Sequence, residues 1–526
     1  MSFADDLRAG RDAARAARER SRPRPAAPPV GPPVRPPTAP PLVNQPSPIR
    51  FGYYCPLNSD NVGAPLLSST ERHILMHGLN GAGKSTRFLI ELLMTVSYRS
   101  LLVFDFKGEL AYQTGTERER YSDVYYINPH KMHGLPSHGF NPLMLDPDDP
   151  LFFSQLTDIG TAAVDIADKD PHWTESSASL LEGFTGWEII TARREKRLPS
   201  LANVRRMACE ADRYESFTDA AGKKQRRLIG GITHTTQKIL REAPPSIAGL
   251  VSRFVREHGL NELSSITSTF DTQTKWVLEP MMTADLSKAG VDFANLRKRP
   301  TTVYVMLHPL EVRKNRRWTR LIIARALSAL MQPGPIKTLF ILDEFRATIG
   351  NLPILNDVWS LVRGFGIQLM PFVQSMEHLQ TVFGDDWQSY VGQTGLVATL
   401  GPPNDKLSAE WMSDRCGTTT ALKAGFNIGD GINEGDGLNN GTGTTGAGAT
   451  SNQGNGKNYG RNRSGGISYQ QTERRVLKPQ ELKDICDGHG LIWTPGMGTK
   501  SIPFYAPNYW DREAEWVARV KKNPLA

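Results

Sequence analysis

The chain has 526 residues, 39% of them hydrophobic and 22% charged, which fits a folded protein with a sizeable core and excludes disorder from end to end. Sixty-two Lys and Arg against 54 Asp and Glu leave a formal charge of +8, too modest over this length to establish nucleic-acid binding by itself. No run approaches the roughly 18 uninterrupted apolar residues of a membrane-spanning helix, the start carries no secretory pattern, and Cys55, Cys209, Cys416 and Cys486 make no CxxC pair, so a reducing cytoplasm is the expected location.

Residues 1–20 read as an Ala/Arg-rich helix, whereas residues 21–50 hold 12 prolines, each fixing φ and removing a backbone donor. Residues 1–50 are therefore expected to be a disordered, basic, Pro-rich tail, with nine arginines against four acids. Such a tail serves as a solubilising or tethering arm, or as a contact for anionic lipid, nucleic acid or an acidic partner.

From Phe51 strand-like runs alternate with helical ones. Strands are predicted at residues 73–77, 101–104, 302–307, 339–342, 368–373 and 396–400, short apolar runs followed by turns or helices, as in a buried parallel sheet with crossover helices. The predicted fold class is α/β, its sheet shared between residues 51–149 and 287–526. Residues 150–286 read as an inserted all-helical domain, with helices at 176–193, 201–214, 232–242 and 247–258. It carries Lys223-Lys224-Gln225-Arg226-Arg227, either a solvated helix face or an anion contact. Residues 425–466 hold 14 glycines and 8 asparagines, too little apolar surface to offset their ordering entropy, and are predicted to form a mobile loop. Two strand-like runs, 491–494 and 503–506, follow.

Chemistry enters at His77-Gly78-Leu79-Asn80-Gly81-Ala82-Gly83-Lys84-Ser85-Thr86, which contains a full match to GxxxxGK[ST] between a predicted strand and the helical pattern of residues 87–96. The glycines let the backbone curl so that successive N–H groups point at a phosphate, and the helix N-terminus adds positive charge. The expected phosphate-binding set is Gly78, Asn80, Gly81, Ala82, Gly83, Lys84, Ser85 and Thr86. Lys84 would reach the β- and γ-phosphate oxygens of ATP, and the Ser85 hydroxyl would help to hold Mg²⁺.

The second motif, Thr338-Leu339-Phe340-Ile341-Leu342-Asp343-Glu344, is an apolar strand ending in two acids. Alone it reads equally well as a strand-to-turn boundary. Beside a phosphate loop, whose ligand lies at the carboxyl ends of the strands, it predicts that Asp343 holds Mg²⁺ and that Glu344 polarises an attacking water. Gln374 ends the next predicted strand, where it can contact the γ-phosphate or simply cap the strand. The histidines His130, His133 and His138 are irregularly spaced among Pro and Gly and read as loop residues.

With these motifs in order and a helical insertion between the first two, residues 52–509 resemble the type IV secretion coupling proteins, the conjugative DNA-transfer ATPases. The likeness includes Asp105-Phe106-Lys107-Gly108-Glu109, Phe140-Asn141-Pro142-Leu143, Asp170-Pro171-His172-Trp173, Arg363-Gly364-Phe365-Gly366, Phe383-Gly384-Asp385-Asp386-Trp387, and Arg474-Arg475 with Glu481. The resemblance implies a RecA-like motor domain with an all-alpha domain, and a homo-hexamer. It implies use of ATP to deliver relaxase-bound single-stranded DNA or protein cargo to inner-membrane components of a secretion channel.

It further implies that Arg363 of one subunit serves as an arginine finger at its neighbour's nucleotide, although the position also suits an ordinary arginine at a helix end. Family members begin with transmembrane helices where this chain has its basic tail, so a cytoplasmic variant, peripheral at the inner membrane, is expected. Contacts to a DNA backbone would fall to Arg313, Lys314, Arg316, Arg317 and residues 223–227. Two other functions share the motifs: a nucleotide-gated receptor for secreted effector proteins, and a double-stranded DNA translocase or packaging motor.

Overall fold

The computed structural model describes residues 46–525 except 167–168, 221, 256–259, 346–354, 356–358, 444–449, 497, 499 and 513. The tail up to residue 45 and the end of the helix predicted to reach residue 258 lie outside the described residues. Fifteen strands form among the described residues: β1 Ile49–Tyr54, β2 Pro65–Ser68, β3 Ile74–Gly78, β4 Ser100–Phe104, β5 Asp123–Ile127, β6 Arg213–Thr218, β7 Lys224–Gly230, β8 Thr301–Val305, β9 Thr338–Leu342, β10 Ile367–Val373, β11 Leu396–Leu400, β12 Thr418–Gly443, β13 Thr450–Arg475, β14 His489–Trp493 and β15 Ile502–Tyr505.

Eleven of these make one sheet in the order β2-β1-β15-β14-β11-β3-β10-β9-β4-β8-β5. From β11 to β5 every pairing is parallel, while β14, β15, β1 and β2 add an antiparallel edge. The parallel strands other than β5 are covered on both faces, so their sequences are mostly apolar, and β9 and β10 are buried at every position. Side chains alternate between faces. Leu102, Phe104, Val303, Val305, Phe340 and Leu342 join one core with the helix Arg316–Leu330 and the inserted helices. Leu101, Val103, Tyr304, Leu339 and Ile341 join a second core with Phe88, Leu92 and Leu93.

The insertion supplies the helices Phe152–Ala163, His172–Arg194, Leu201–Cys209, Ile232–Glu242, Pro245–Val251, Leu260–Thr274 and Pro280–Leu286. It is not all helical: β6 and β7 pair as an antiparallel hairpin. The helix predicted over 201–214 stops at Cys209 because Tyr214, Phe217 and Thr218 favour extended backbone and find a partner strand in β7. The basic run 223–227 therefore lies largely on a strand, where Arg227 pairs with Glu215 at 3.0 Å and Arg226 lies over the Tyr214 ring at 4.9 Å.

Two other expectations change. The sheet begins at Ile49, two residues inside the predicted tail, because β1 has partners on both sides in β2 and β15. Within the predicted loop, residues 425–443 and 450–466 instead form most of the hairpin β12–β13, paired without interruption from Thr418 opposite Arg475 to Gly443 opposite Thr450, while residues 444–449 lie outside the described residues. A backbone ladder satisfies each peptide group whatever the side chains are, so a glycine-rich composition does not preclude it.

One buried cation joins the second core to the sheet. Arg118, ending the helix Glu109–Arg118, is fully buried and donates to the Leu93 and Thr302 oxygens at 3.2 Å and to the Val96 carbonyl. It satisfies carbonyls left open where the helix Ile90–Thr95 ends. Arg118→Met strands these acceptors and is expected to lower the unfolding free energy by about 3 kcal/mol. A denaturant midpoint equal to that of the unaltered protein would refute this role.

Candidate nucleotide-binding site

β3 ends at Gly78, and the chain then turns through Gly81 and Gly83 at φ +83° and +82°. A Cβ at Gly83 would meet Arg87 Cδ at 2.7 Å, so both conformation and space require glycine there. The helix begins at Lys84, wound as π over Lys84–Leu89 and as α over Ile90–Thr95. Its first turn is held by the end of the chain: Arg87 donates to the Ala506 carbonyl at 2.8 Å and pairs with Asp487 at 2.5 Å, and Thr86 Oγ1 donates to Asn508 Oδ1 at 3.0 Å. Thr86 thus commits its hydroxyl to Asn508, and Ser85 carries the other hydroxyl of the loop. Lys84 folds back over the turn, its Nζ donating to the Gly78 carbonyl at 3.2 Å.

The parallel register brings the second and third motifs to this edge. Leu342 of β9 is level with Phe104 of β4 and Pro371 of β10, and Val373 of β10 is level with His77 of β3. Asp105, Asp343, Gln374 and the phosphate loop therefore leave the sheet at the same end. Burial pushes the Asp343 carboxyl up, against the pull of Lys84, and Asp343 Oδ1 accepts the Glu344 N–H at 3.1 Å. Conversely, burial lowers Lys84, against the support of Asp343 and Glu344. Both side chains are half-buried, and each lies within the other's electrostatic reach, which favours its charged form. Asp105 is also buried, which raises it to about 7, and accepts the Ala111 N–H at 2.8 Å.

Glu344 has φ +52°, a left-handed conformation that costs a non-glycine residue about 1 kcal/mol. Its side chain lines a cleft of about 630 Å³ with Phe106, Lys107, Arg313, Arg316, Gln374 and His378. Lys84, Asp343, Glu344 and Gln374 are thus brought to one site. Arg363 is not: it lies in the turn Val362–Phe365 before β10, beside Glu71 and the first residues of β9 and β10, at the opposite end of the sheet from Lys84. Any part it takes at a nucleotide involves another copy of the chain.

The arginines assigned to DNA are largely engaged within the chain. Arg316 and Arg317 pair with Asp165 at 2.7 and 2.6 Å, joined there by Arg320, and Lys314 pairs with Glu311 at 2.8 Å. Arg313 and Arg316 face the cleft rather than a separate basic patch. Sequence reasoning gave no site role to His77 or His378, although the first adjoins Gly78 and the second follows Gln374 by four residues. As donors, the Ser85 hydroxyl and the Asp343 carboxylate are hard oxygens suited to Mg²⁺, which retains waters and takes further ligands from substrate phosphates.

His77 makes the edge sensitive to acid. Its ring is buried, which lowers its pKa from 6.5 to about 4. The folded value lies below the unfolded one, so the stabilisation is present above pH 6.5 and is lost as pH falls towards 4. At about 1.4 kcal/mol per unit the loss is about 3 kcal/mol, and His77→Gln should lack this part of the slope in denaturant titrations at pH 7 and pH 4. Parallel slopes for the two proteins would exclude His77 as the source.

The family model for type IV secretory system conjugative DNA transfer matches residues 44–514. Protein VirD4 of Agrobacterium fabrum is 22% identical over 363 residues, 65% of this chain and 49% of the relative, and Protein VirD4 of Rhizobium radiobacter is 22% identical over 359 residues. The chain thus spans about half the length of these curated relatives. Among solved structures, the plasmid coupling protein TrwB in complex with the non-hydrolysable ATP analogue ADPNP has a TM-score of 0.56 at 14% identity, covering 83% of this chain and 86% of TrwB. TrwB in complex with ADP and Mg²⁺ has a TM-score of 0.55, again at 14% identity, covering 88% of this chain and 95% of TrwB. The fold is that of a RecA-like P-loop domain, and among the described residues no helix is long and apolar enough to cross a membrane. With 471 of its 526 residues inside the family match, a phosphate loop at the end of β3 and paired acids at the end of β9, the chain belongs to the coupling proteins of type IV conjugative DNA transfer.

Proposed function

We propose that the chain binds and hydrolyses ATP, and uses the cycle to recruit relaxase-bound single-stranded DNA or protein cargo and drive it towards inner-membrane components of a type IV secretion channel. The observation that carries this reading is the parallel register that brings the loop around Lys84, the acids Asp343 and Glu344, and Gln374 to one end of the sheet. A triphosphate there displaces Lys84 from the Gly78 carbonyl onto its β- and γ-oxygens, while the N–H groups of the loop from Gly78 to Thr86 point at the phosphates. Ser85 and Asp343 would hold Mg²⁺, which supplies charge neutralisation between the terminal phosphates. Glu344, turned into the cleft by its backbone, accepts a proton from the attacking water. Gln374, at the end of the strand beside the loop, contacts the γ-phosphate and registers its loss.

In this proposal the active form is a homo-hexamer. The placement of Arg363 at the far end of the sheet fits a role at the next subunit's nucleotide, where an arginine stabilises charge on the transferring phosphoryl group. Arg363→Ala subunits should then depress turnover in mixtures with unaltered ones. DNA contact is non-specific and weakens with salt.

The test is ATP turnover by the purified chain with and without single-stranded DNA. Lys84→Ala and Glu344→Gln are each expected to reduce turnover at least about a hundredfold, Glu344→Gln with nucleotide affinity retained. DNA should stimulate the unaltered protein, less so at high salt. Near-normal turnover in either variant would end the hydrolytic assignment. Turnover indifferent to DNA, with protein cargo retained on a pull-down, would transfer the role to effector reception.

A further inference from the structure

The cleft beside Asp343 and Glu344 holds more positive charge than the hydrolytic roles assigned above use. On one wall stands Lys107, in a turn that is fixed at every point. Gly108 N donates to the Asp105 carbonyl at 3.0 Å, and Ala111 N donates to Asp105 Oδ2 at 2.8 Å. The Lys107 carbonyl meets His133 Nε2 at 2.7 Å. Gly108, at φ +69°, leaves room for that ring, because a Cβ there would fall 2.8 Å from His133 Cδ2. The backbone is pinned, the Lys107 side chain lines the cleft, and its charge is felt by both Lys84 and Asp343.

After β8, the strand paired with β4, come Arg313 and Arg316, which line the same cleft. Three cations against the single carboxylate of Glu344 make an anion site, and guanidinium forks suit tetrahedral oxyanions. Arg316 has a resting partner in Asp165, at 2.7 Å, but that carboxylate also accepts from Arg317 and Arg320. It therefore stays paired when Arg316 turns away.

We propose that Lys107, Arg313 and Arg316 form a second phosphate site, distinct from the Lys84 loop, that holds inorganic phosphate after it is cut from ATP. The site rests on the hydrolytic reading for the source of its ligand. At about 630 Å³ the cleft is far roomier than a phosphate ion requires, as suits a station on the way out. A nucleic-acid backbone offers the same phosphate chemistry, and the experiment separates the two.

Inorganic phosphate is titrated calorimetrically into the full chain, alone and with ADP bound, and a thymidine oligonucleotide is titrated in a parallel arm. In Lys107→Ala and in Arg313→Ala, both exposed side chains, phosphate affinity should fall about tenfold, the loss of one charge-assisted contact, while ADP affinity stays within twofold. Lys84→Ala should lose ADP and keep phosphate, so failure of the nucleotide reading shows in the ADP titration and failure of this inference in the phosphate titration. Absence of phosphate binding by the unaltered protein, or phosphate affinity in both variants unchanged from that of the unaltered protein, would overturn the proposal. A loss confined to the oligonucleotide arm would do so in favour of a backbone contact.

Discussion

The site depends on one electrostatic constraint: an ammonium and a carboxylate, both half-buried, stand in each other's field at the carboxyl edge of a parallel sheet. Removing either leaves the other partly desolvated with less opposite charge about it. The backbone on each side is fixed locally, by the left-handed glycines before Lys84, by the Glu344 N–H on Asp343 Oδ1 and by the Ala111 N–H on Asp105 Oδ2. A polyanionic ligand with a divalent cation enters such a place readily, because it brings charges of both signs to groups that already need them.

The sheet accomplishes this by register. β3 and β4 come early in the chain and β9 and β10 late, yet all four are neighbours in space, and parallel pairing aligns their ends to within a residue or two. Each end contributes a different chemical part, which is why Lys84 and Asp105 lie more than two hundred positions before Asp343 and Gln374 in the chain and beside them in the molecule. The C-terminal segment closes the arrangement by holding Thr86 and Arg87, and Arg512 with Arg50 compensates the buried Glu91 behind the loop.

Much of this was readable beforehand, for physical reasons. Strands covered on both faces must be apolar throughout, so β3, β4, β8, β9, β10 and β11 announced themselves, and the glycine spacing around Lys84 has few other uses. β5, with its Tyr125 and Tyr126, was missed because a strand at the parallel edge is only half covered. β6 and β7 were missed because their cross-strand pairing, not a local period, decides their state. The hairpin β12–β13 defeated composition altogether, since a backbone ladder does not consult side chains. At the site, chain order disclosed Lys84, Asp343, Glu344 and Gln374, but not that Arg313 and Arg316 would join them, because that follows from where the helix after β8 begins. Arg363, which the family resemblance assigned to a neighbour's nucleotide, stands at the far end of the sheet from its own chain's loop.

The clasp of Asp165 by Arg316, Arg317 and Arg320 has a mechanical meaning. The carboxylate stands just past the inserted helix Phe152–Ala163, and the three guanidiniums occupy the first turns of the helix that starts at the cleft. Burial works against the carboxylate, yet the arginines hold it below its usual range, so the joint stays ionised and stiff at any physiological acidity. The insertion is thereby riveted to a strut whose foot, Arg316, lines the same cleft as Glu344, so the two parts of the chain share one ionic joint.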